Sequence, residues 1–399
     1  MSLPARESVP TEKRLLVCCA RTELSSELTI EIRDLAAQPL DWNYLFAEAA
    51  DHALRPLLAR HLSACAADLV PAPEWKRLSD AVRANTARCL ILTAELIQIM
   101  DRFAEAGILA IPYKGPVTAA QAYGDITLRE FEDLDIILRQ QDMPRVDEIA
   151  RGLGYQPKYD WVLTSGAAAL IPGEYHYRDG ARRMVLDLHT ERTLRHFPVP
   201  PDLDALGRHR VGVSLTGHEI RTFAPEDALV MLCVHGSKDF WERISWIADI
   251  AEVIRAYPRL DWEEVSRRAD SWNARRILHL GLALASGMLD ANLPGEVHSQ
   301  VESDRVVAEL AARVAHRLLR REPTALGSAE RFRFRRKMLE GAVDGWRYSL
   351  RLASAPVEED WEMVRLPVRL APLYLALRPL RLLRKYGWSN RSPNDASKA

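Results

Sequence analysis

One six-residue run, Asp133-Leu-Asp-Ile-Ile-Leu138, constrains this chain more than any other. It opens with alternating charge and closes in an apolar block, the pattern of a strand with a solvated start and a buried remainder. Such a strand needs partners, and the surrounding sequence supplies them. Ile108-Leu-Ala-Ile-Pro-Tyr113 is a short apolar run that stops at Lys114-Gly115-Pro116. Glu174-Tyr-His-Tyr-Arg178 and Arg182-Arg-Met-Val-Leu-Asp-Leu-His189 are separated by Asp179-Gly180-Ala181, a strong hairpin signal. Pro116 suits the first turn of a helix through Val117, Ala120 and Tyr123, and Pro144 opens another that Gly154 closes. Helix, strand, helix, strand, helix, hairpin is the order of a small mixed α/β unit over residues 94–215.

Helical periodicity dominates on both sides. Trp42, Leu45, Phe46 and Ala49 recur at helical spacing, as do Ala53, Leu54, Leu57 and Leu58, and then Trp75, Leu78 and Val82. The next helix runs through Leu90, Leu92, Leu96, Ile97, Met100 and Phe103 to a stop at Gly107. The helical pattern returns at Pro225 and persists to about Tyr386. A chain of 399 residues exceeds one ordinary core. The expected layout is an N-terminal helical domain (1–93), an α/β core (94–215), a C-terminal helical domain (216–388) and a polar tail (389–399), mostly α overall.

Composition narrows the partners. Lys plus Arg (54) and Asp plus Glu (55) nearly cancel, leaving a formal net charge of -1. Proteins that grip long nucleic acid carry a basic excess, so a small-molecule or peptide acceptor is favoured over a polynucleotide. The five cysteines show no CxxC spacing, which argues against a disulfide framework or a metal knuckle. The N-terminus has no apolar signal region and no run of about 18 apolar residues spans a bilayer, so the expected setting is the reducing cytoplasm.

On a strand, residues i and i+2 share a face, with their Cα atoms about 7 Å apart. Asp133 and Asp135 therefore project together, with Leu134 turned to the core. Hard carboxylates at this spacing bind divalent cations that also take triphosphate oxygens. Asp187, after the apolar run Met184-Val185-Leu186, supplies a third acid from a strand expected nearby, or pairs with Arg182 or Arg183. Three carboxylates on adjacent strands make a site for Mg²⁺ or Mn²⁺ in which one ion activates a hydroxyl and another stabilises leaving pyrophosphate. Upstream, Gly115 lets backbone approach a phosphate at a helix start, and Lys114 offers charge. Arg129 either reaches phosphates or pairs with Glu130, Glu132 or the aspartates. His189 shares the strand face of Asp187, where it shuttles a proton, orients Asp187 or serves structure alone.

At these residues the chain resembles the polymerase-β-like nucleotidyltransferase superfamily, and more narrowly a bacterial group of nucleotidyltransferase family proteins. The resemblance is carried by residues 113–138, by Gly152-Leu-Gly-Tyr155 and by Val185-Leu-Asp-Leu-His189. It implies that Asp133 and Asp135 bind the metals, that Asp187 completes the triad or acts as base, and that Lys114, Gly115 and Arg129 handle an NTP such as ATP. One departure stands out: Pro116 occupies the place of a phosphate-binding serine, so either Lys114 or Thr118 substitutes or nucleotide binding is weaker. In enzymes of similar fold a lysine of the C-terminal helical domain reaches the triphosphate, and Lys238 is the candidate here. Trp241 and Trp246 read as packing residues, and Asp249 as a cap or salt-bridge anchor.

The segment 366–386 is apolar and basic together. Pro367, Pro372 and Pro379 interrupt it, which favours short helices docked on the protein's own core over an interfacial membrane helix. The expected function is Mg-dependent transfer of a nucleoside monophosphate from an NTP to a hydroxyl or phosphate. The alternatives are a non-catalytic nucleotide- or peptide-binding module and a toxin-like transferase acting on tRNA or protein.

Overall fold

The structure is a computed structural model that describes residues 9–158, 173–180, 184–190, 202–321 and 326–341, with single positions at 345, 346, 364, 370, 373 and 377. Arg182, Arg183, most of 366–386 and the tail 389–399 lie outside the described residues.

Four short helices open the chain: α1 (Thr11–Cys19), α2 (Ser26–Ala36), α3 (Trp42–Asp51) and α4 (Arg55–Cys65). Side-chain caps start two of them. Ser25 accepts from the Leu28 amide, and Asp41 accepts from the Tyr44 amide. The helix α5 (Ala72–Glu105) is a single 34-residue rod that runs straight through residue 93. No Pro or Gly interrupts it after its first turn, so the two periodic stretches read in the sequence fuse into one.

The chain then alternates: β1 (Ala110–Tyr113), α6 (Gly115–Thr118) continuing as a π-helical turn over Ala119–Tyr123, β2 (Asp133–Leu138), α7 (Met143–Gly152) and β3 (Tyr155–Pro157). β4 (Glu174–Asp179) and β5 (Met184–Thr190) follow and pair antiparallel, as the Asp-Gly signal predicts. The five strands form one sheet in the order β1-β2-β5-β4-β3. Its centre is the parallel pair β2–β5, and every other pairing is antiparallel.

Both faces of β2 are covered at its apolar end, which is why the sequence there reads as an unbroken hydrophobic run. Leu134, Ile136 and Leu138 join Leu186 and Leu188 of β5 in a core with Leu96, Ile99 and Phe103 of α5 and Val146 of α7. Each such fully buried aliphatic side chain contributes about 1.5–3 kcal/mol relative to exposure. Ile137 and Ile111 face the other way and belong to a second core built from helices.

After α8 (Leu203–Arg208), β6 (Val211–Leu215) and β7 (His218–Thr222) form a separate hairpin that runs across the expected boundary between residues 215 and 216, ahead of the helical pattern that begins at Pro225. Its loop, Thr216-Gly217, has φ of 50° and 89°, the positive pair that a two-residue hairpin turn requires. Thr222 Oγ1 donates to the Pro112 carbonyl at 2.6 Å and ties this hairpin to β1.

Helices complete the described chain: α9 (Pro225–Lys238), α10 (Ile244–Ala256), α11 (Trp262–Ser271), α12 (Arg275–Leu289), α13 (Gly295–Ser303), α14 (Arg305–Leu319) and α15 (Ser328–Met338). Their apolar faces merge with those of α1–α4 into the single helical core, so the first and last helical segments are packed on each other. Among the described residues, no helix is long and apolar enough to cross a membrane.

Candidate functional site

The sheet register places the acids. Asp135 stands opposite Asp187 across the parallel β2–β5 pair, and Asp133 precedes Asp135 by two positions on the same face. His176 of β4 stands opposite Asp187, and Glu174 opposite His189, which extends this polar face across a third strand. Tyr113 closes it at β1, opposite Asp135. The arrangement follows from period-two alternation: β2, β4 and β5 turn apolar residues such as Leu134, Tyr175 and Leu186 to the α5 core, and Asp133, Asp135, His176 and Asp187 to the opposite side.

The three predicted carboxylates occupy different surroundings. Asp135 is buried; Lys114 Nζ lies 3.1 Å from its Oδ1, and His189 Nε2 lies 2.8 Å from the same oxygen. Burial alone would raise the Asp135 carboxyl, but Lys114, the His189 hydrogen bond and His235 hold it well below the usual carboxylate range. Asp133 has no side-chain hydrogen bond among the described residues; burial first, and then the negative charges of Asp135 and Asp187, push its pKa up to about 6 against Lys114 and Arg129. Asp187 Oδ1 lies 2.7 Å from His176 Nδ1. His189 thus serves Asp135, and His176 takes the place beside Asp187.

Lys114 sits at φ 61° and ψ -155°, a conformation that costs a non-glycine residue roughly 1–3 kcal/mol. Gly115 follows at φ 44°, and a Cβ there would meet the Asp133 carbonyl at 3.4 Å. This strained turn brings Lys114 back over the Tyr113 ring, 4.8 Å from its centroid, and onto Asp135. Thr118 is buried in the turn that follows.

Arg129 is placed differently from the phosphate-binding expectation. Its Nε and Nη2 donate to the two carboxylate oxygens of Asp249 on α10, each at 2.8 Å, and Tyr123 donates to Asp249 Oδ1 at 2.8 Å. Asp249 is wholly buried and is the salt-bridge anchor the sequence suggests. The guanidinium is therefore engaged in joining the strand-bearing segment to a helix, close enough to lower the Asp133 pKa.

Lys238, at the end of α9, does reach the polar face: its Nζ lies 3.1 Å from Glu174 Oε1. His235, one turn earlier, makes an edge-to-face contact with Trp246 at 5.1 Å. Burial, followed by Lys114, pushes the His235 pKa well below its ordinary value. Trp241 is fully buried, in keeping with a packing role. Glu174, His176 and Tyr113 lie in segments the sequence marks as strands but are not among its candidate site residues; the alternation Glu174-Tyr-His-Tyr carries the signal, and only strand pairing reveals it.

A family model described as an uncharacterised nucleotidyltransferase matches residues 38–290, more than half of the chain, and the protein belongs to that family. Every site residue named above lies inside the matched span. No curated protein matches the chain. Among solved structures, an antigenic nucleotidyltransferase-like protein from Paracoccidioides brasiliensis is similar, with 15% identity, a TM-score of 0.33, and coverage of 55% of this chain and 99% of that one.

Proposed function

We propose that this protein is an Mg-dependent nucleotidyltransferase that moves a nucleoside monophosphate from an NTP to a hydroxyl or phosphate of a small-molecule or peptide acceptor, releasing pyrophosphate. The observation that carries this reading is the register of Asp135 on Asp187, with Asp133 beside them on one sheet face.

The donor set fits a hard divalent cation. Among the described residues, Asp135 Oδ2, Asp187 Oδ2 and both oxygens of Asp133 accept no hydrogen bond, while Oδ1 of Asp135 and of Asp187 is held in place. Burial first, and then the charges of Asp135 and Asp187, raise the Asp133 pKa, so a divalent cation held by the three acids would relieve their mutual repulsion. Among the described residues, no three His, Cys, Asp or Glu side chains form a ready-made ion cage. Mg²⁺ does not ask for one, because it keeps several waters and binds through one or two carboxylates plus substrate phosphates. Bound there, Mg²⁺ or Mn²⁺ supplies Lewis-acid charge to the phosphoryl oxygens.

The chain's own residues do the rest. Lys114 and Lys238 flank the carboxylate face and neutralise the triphosphate. Asp187 Oδ2 accepts the proton of the acceptor hydroxyl while His176 fixes Oδ1. The near-zero net charge supports a small or peptide acceptor over a polynucleotide. The free cysteines, four of them buried, suit a reducing compartment such as the cytoplasm.

The test is pyrophosphate release from each NTP with Mg²⁺, with and without cell extract as a source of acceptor. The reading holds if one NTP turns over and Asp133→Ala abolishes it. It fails if no NTP turns over with any acceptor and Asp133→Ala leaves NTP affinity unchanged.

A further inference from the structure

Glu174 is an acid on the polar face that the transfer reaction does not use. Its Oε1 lies 3.1 Å from Lys238 Nζ and 3.7 Å from His189 Nδ1, and the other nitrogen of His189 contacts Asp135. Lys238, Glu174, His189, Asp135 and Lys114 thus lie in a row from α9 to the turn after β1, hydrogen-bonded at each step except between Glu174 and His189.

Both lysines assigned to the triphosphate are already occupied by carboxylates, but their situations differ. Lys114 rests on Asp135, a carboxylate that would be neutralised by a divalent cation held at the acids. Lys238 rests on Glu174, which lies beyond β5 from Asp133 and Asp135 and is outside the metal-binding set. When a phosphate takes Lys238, the Lys238–Glu174 ion pair is given up.

We propose, resting on the transferase reading, that Glu174 is a competing anion: it holds Lys238 while the site is empty, and the triphosphate must displace it. The pair is suited to exchange. Its side chains are 30% and 23% exposed, whereas those of the Arg129–Asp249 pair are 9% and 0% exposed. The backbone at Lys238 is fixed, so the exchange is a swing of the side chain alone. Arg335 Nη2 donates to the Lys238 carbonyl at 3.3 Å, and the Trp241 amide donates to the Gly236 carbonyl at 2.7 Å. Glu174 therefore sets nucleotide affinity without touching the reacting atoms.

The experiment is calorimetric titration of the full chain with the Mg²⁺ complexes of α,β-methylene ATP and GTP. Four proteins are compared: unmodified, Glu174→Gln, Lys238→Gln and the double variant. Removing the competitor tightens Kd roughly two- to fivefold, the scale of a partly exposed ion pair. In the Lys238→Gln background the gain disappears. An unchanged or weaker Kd for Glu174→Gln overturns the proposal, as does a gain that survives in full without Lys238. If Glu174→Gln unfolds, Glu174→Asp carries the same test, since its shorter arm loosens the pair and tightens nucleotide binding. Absence of binding by every chain, the unmodified one included, overturns the transferase reading along with it.

Discussion

Arg129 holds both carboxylate oxygens of Asp249 at 2.8 Å across 120 positions of sequence, and Tyr123 adds a third hydrogen bond to the same buried acid. Removing one member leaves the other charged and dry. Asp249→Asn is therefore expected to cost about 3–5 kcal/mol in urea unfolding. Arg129→Gln is expected to cost a similar amount. Were Arg129 a triphosphate ligand instead, that variant would lose nucleotide affinity with little change in stability.

Asp133 makes the stability of the metal-free protein depend on pH. Its folded pKa of about 6 lies above the ordinary 3.8, so the folded state binds more protons than the unfolded state between those values. Stability contributed by the protonated form is present below about pH 4 and is lost as pH rises through 6. In a chelator at pH 7.5, Asp133→Asn is expected to exceed the unmodified chain by about 1–3 kcal/mol. At pH 4 the two should coincide. Adding Mg²⁺ should raise the Tm of the unmodified protein and leave that of Asp133→Asn in place.

Gly236 lies in α9 directly against the Trp241 ring, which is fully buried and has nowhere to move. A methyl group there overlaps several ring atoms. Gly236→Ala is expected to destabilise by about 1–3 kcal/mol. The readouts are Tm and the near-ultraviolet circular dichroism of the tryptophans.

Lys13 is completely buried in α1, paired with Glu48 and 3.1 Å from His52 Nε2. Lys13→Met leaves the Glu48 charge with His52, 3.3 Å away, beside it and is expected to cost about 3–5 kcal/mol. The Lys13→Met, Glu48→Leu double variant is expected to recover most of that loss in the same denaturation assay.

The elements around the acids were legible because local pattern and tertiary burial agree there. The run Asp133–Leu138 is a strand over the limits its alternation suggests, and Asp179-Gly180 marks the β4–β5 connection. The β6–β7 hairpin was missed. Its strand burial is shallow, and its Thr-Gly turn lacks the Asn or Asp that usually advertises a two-residue loop. The site was legible only in part. That Asp133 and Asp135 share a face follows from strand geometry. That His189 serves Asp135, that His176 serves Asp187 and that Arg129 serves Asp249 depends on register and on helix docking, which no spacing in the sequence encodes.

The parallel β2–β5 pair has a kinetic consequence. Antiparallel β4 and β5 are separated by only four positions of sequence, residues 180–183, and can pair locally, but Asp135 meets His189 only when 54 positions of chain have closed between them. Closure of that length carries a loop-entropy cost that local pairing avoids, so the central pair forms after the β4–β5 hairpin during folding. The carboxylate face comes into being with that last closure. A nascent or truncated chain that ends before β5 holds Asp133 and Asp135 without their partner strand. Divalent-ion affinity would then appear abruptly during refolding, as a reporter that the central pair has closed.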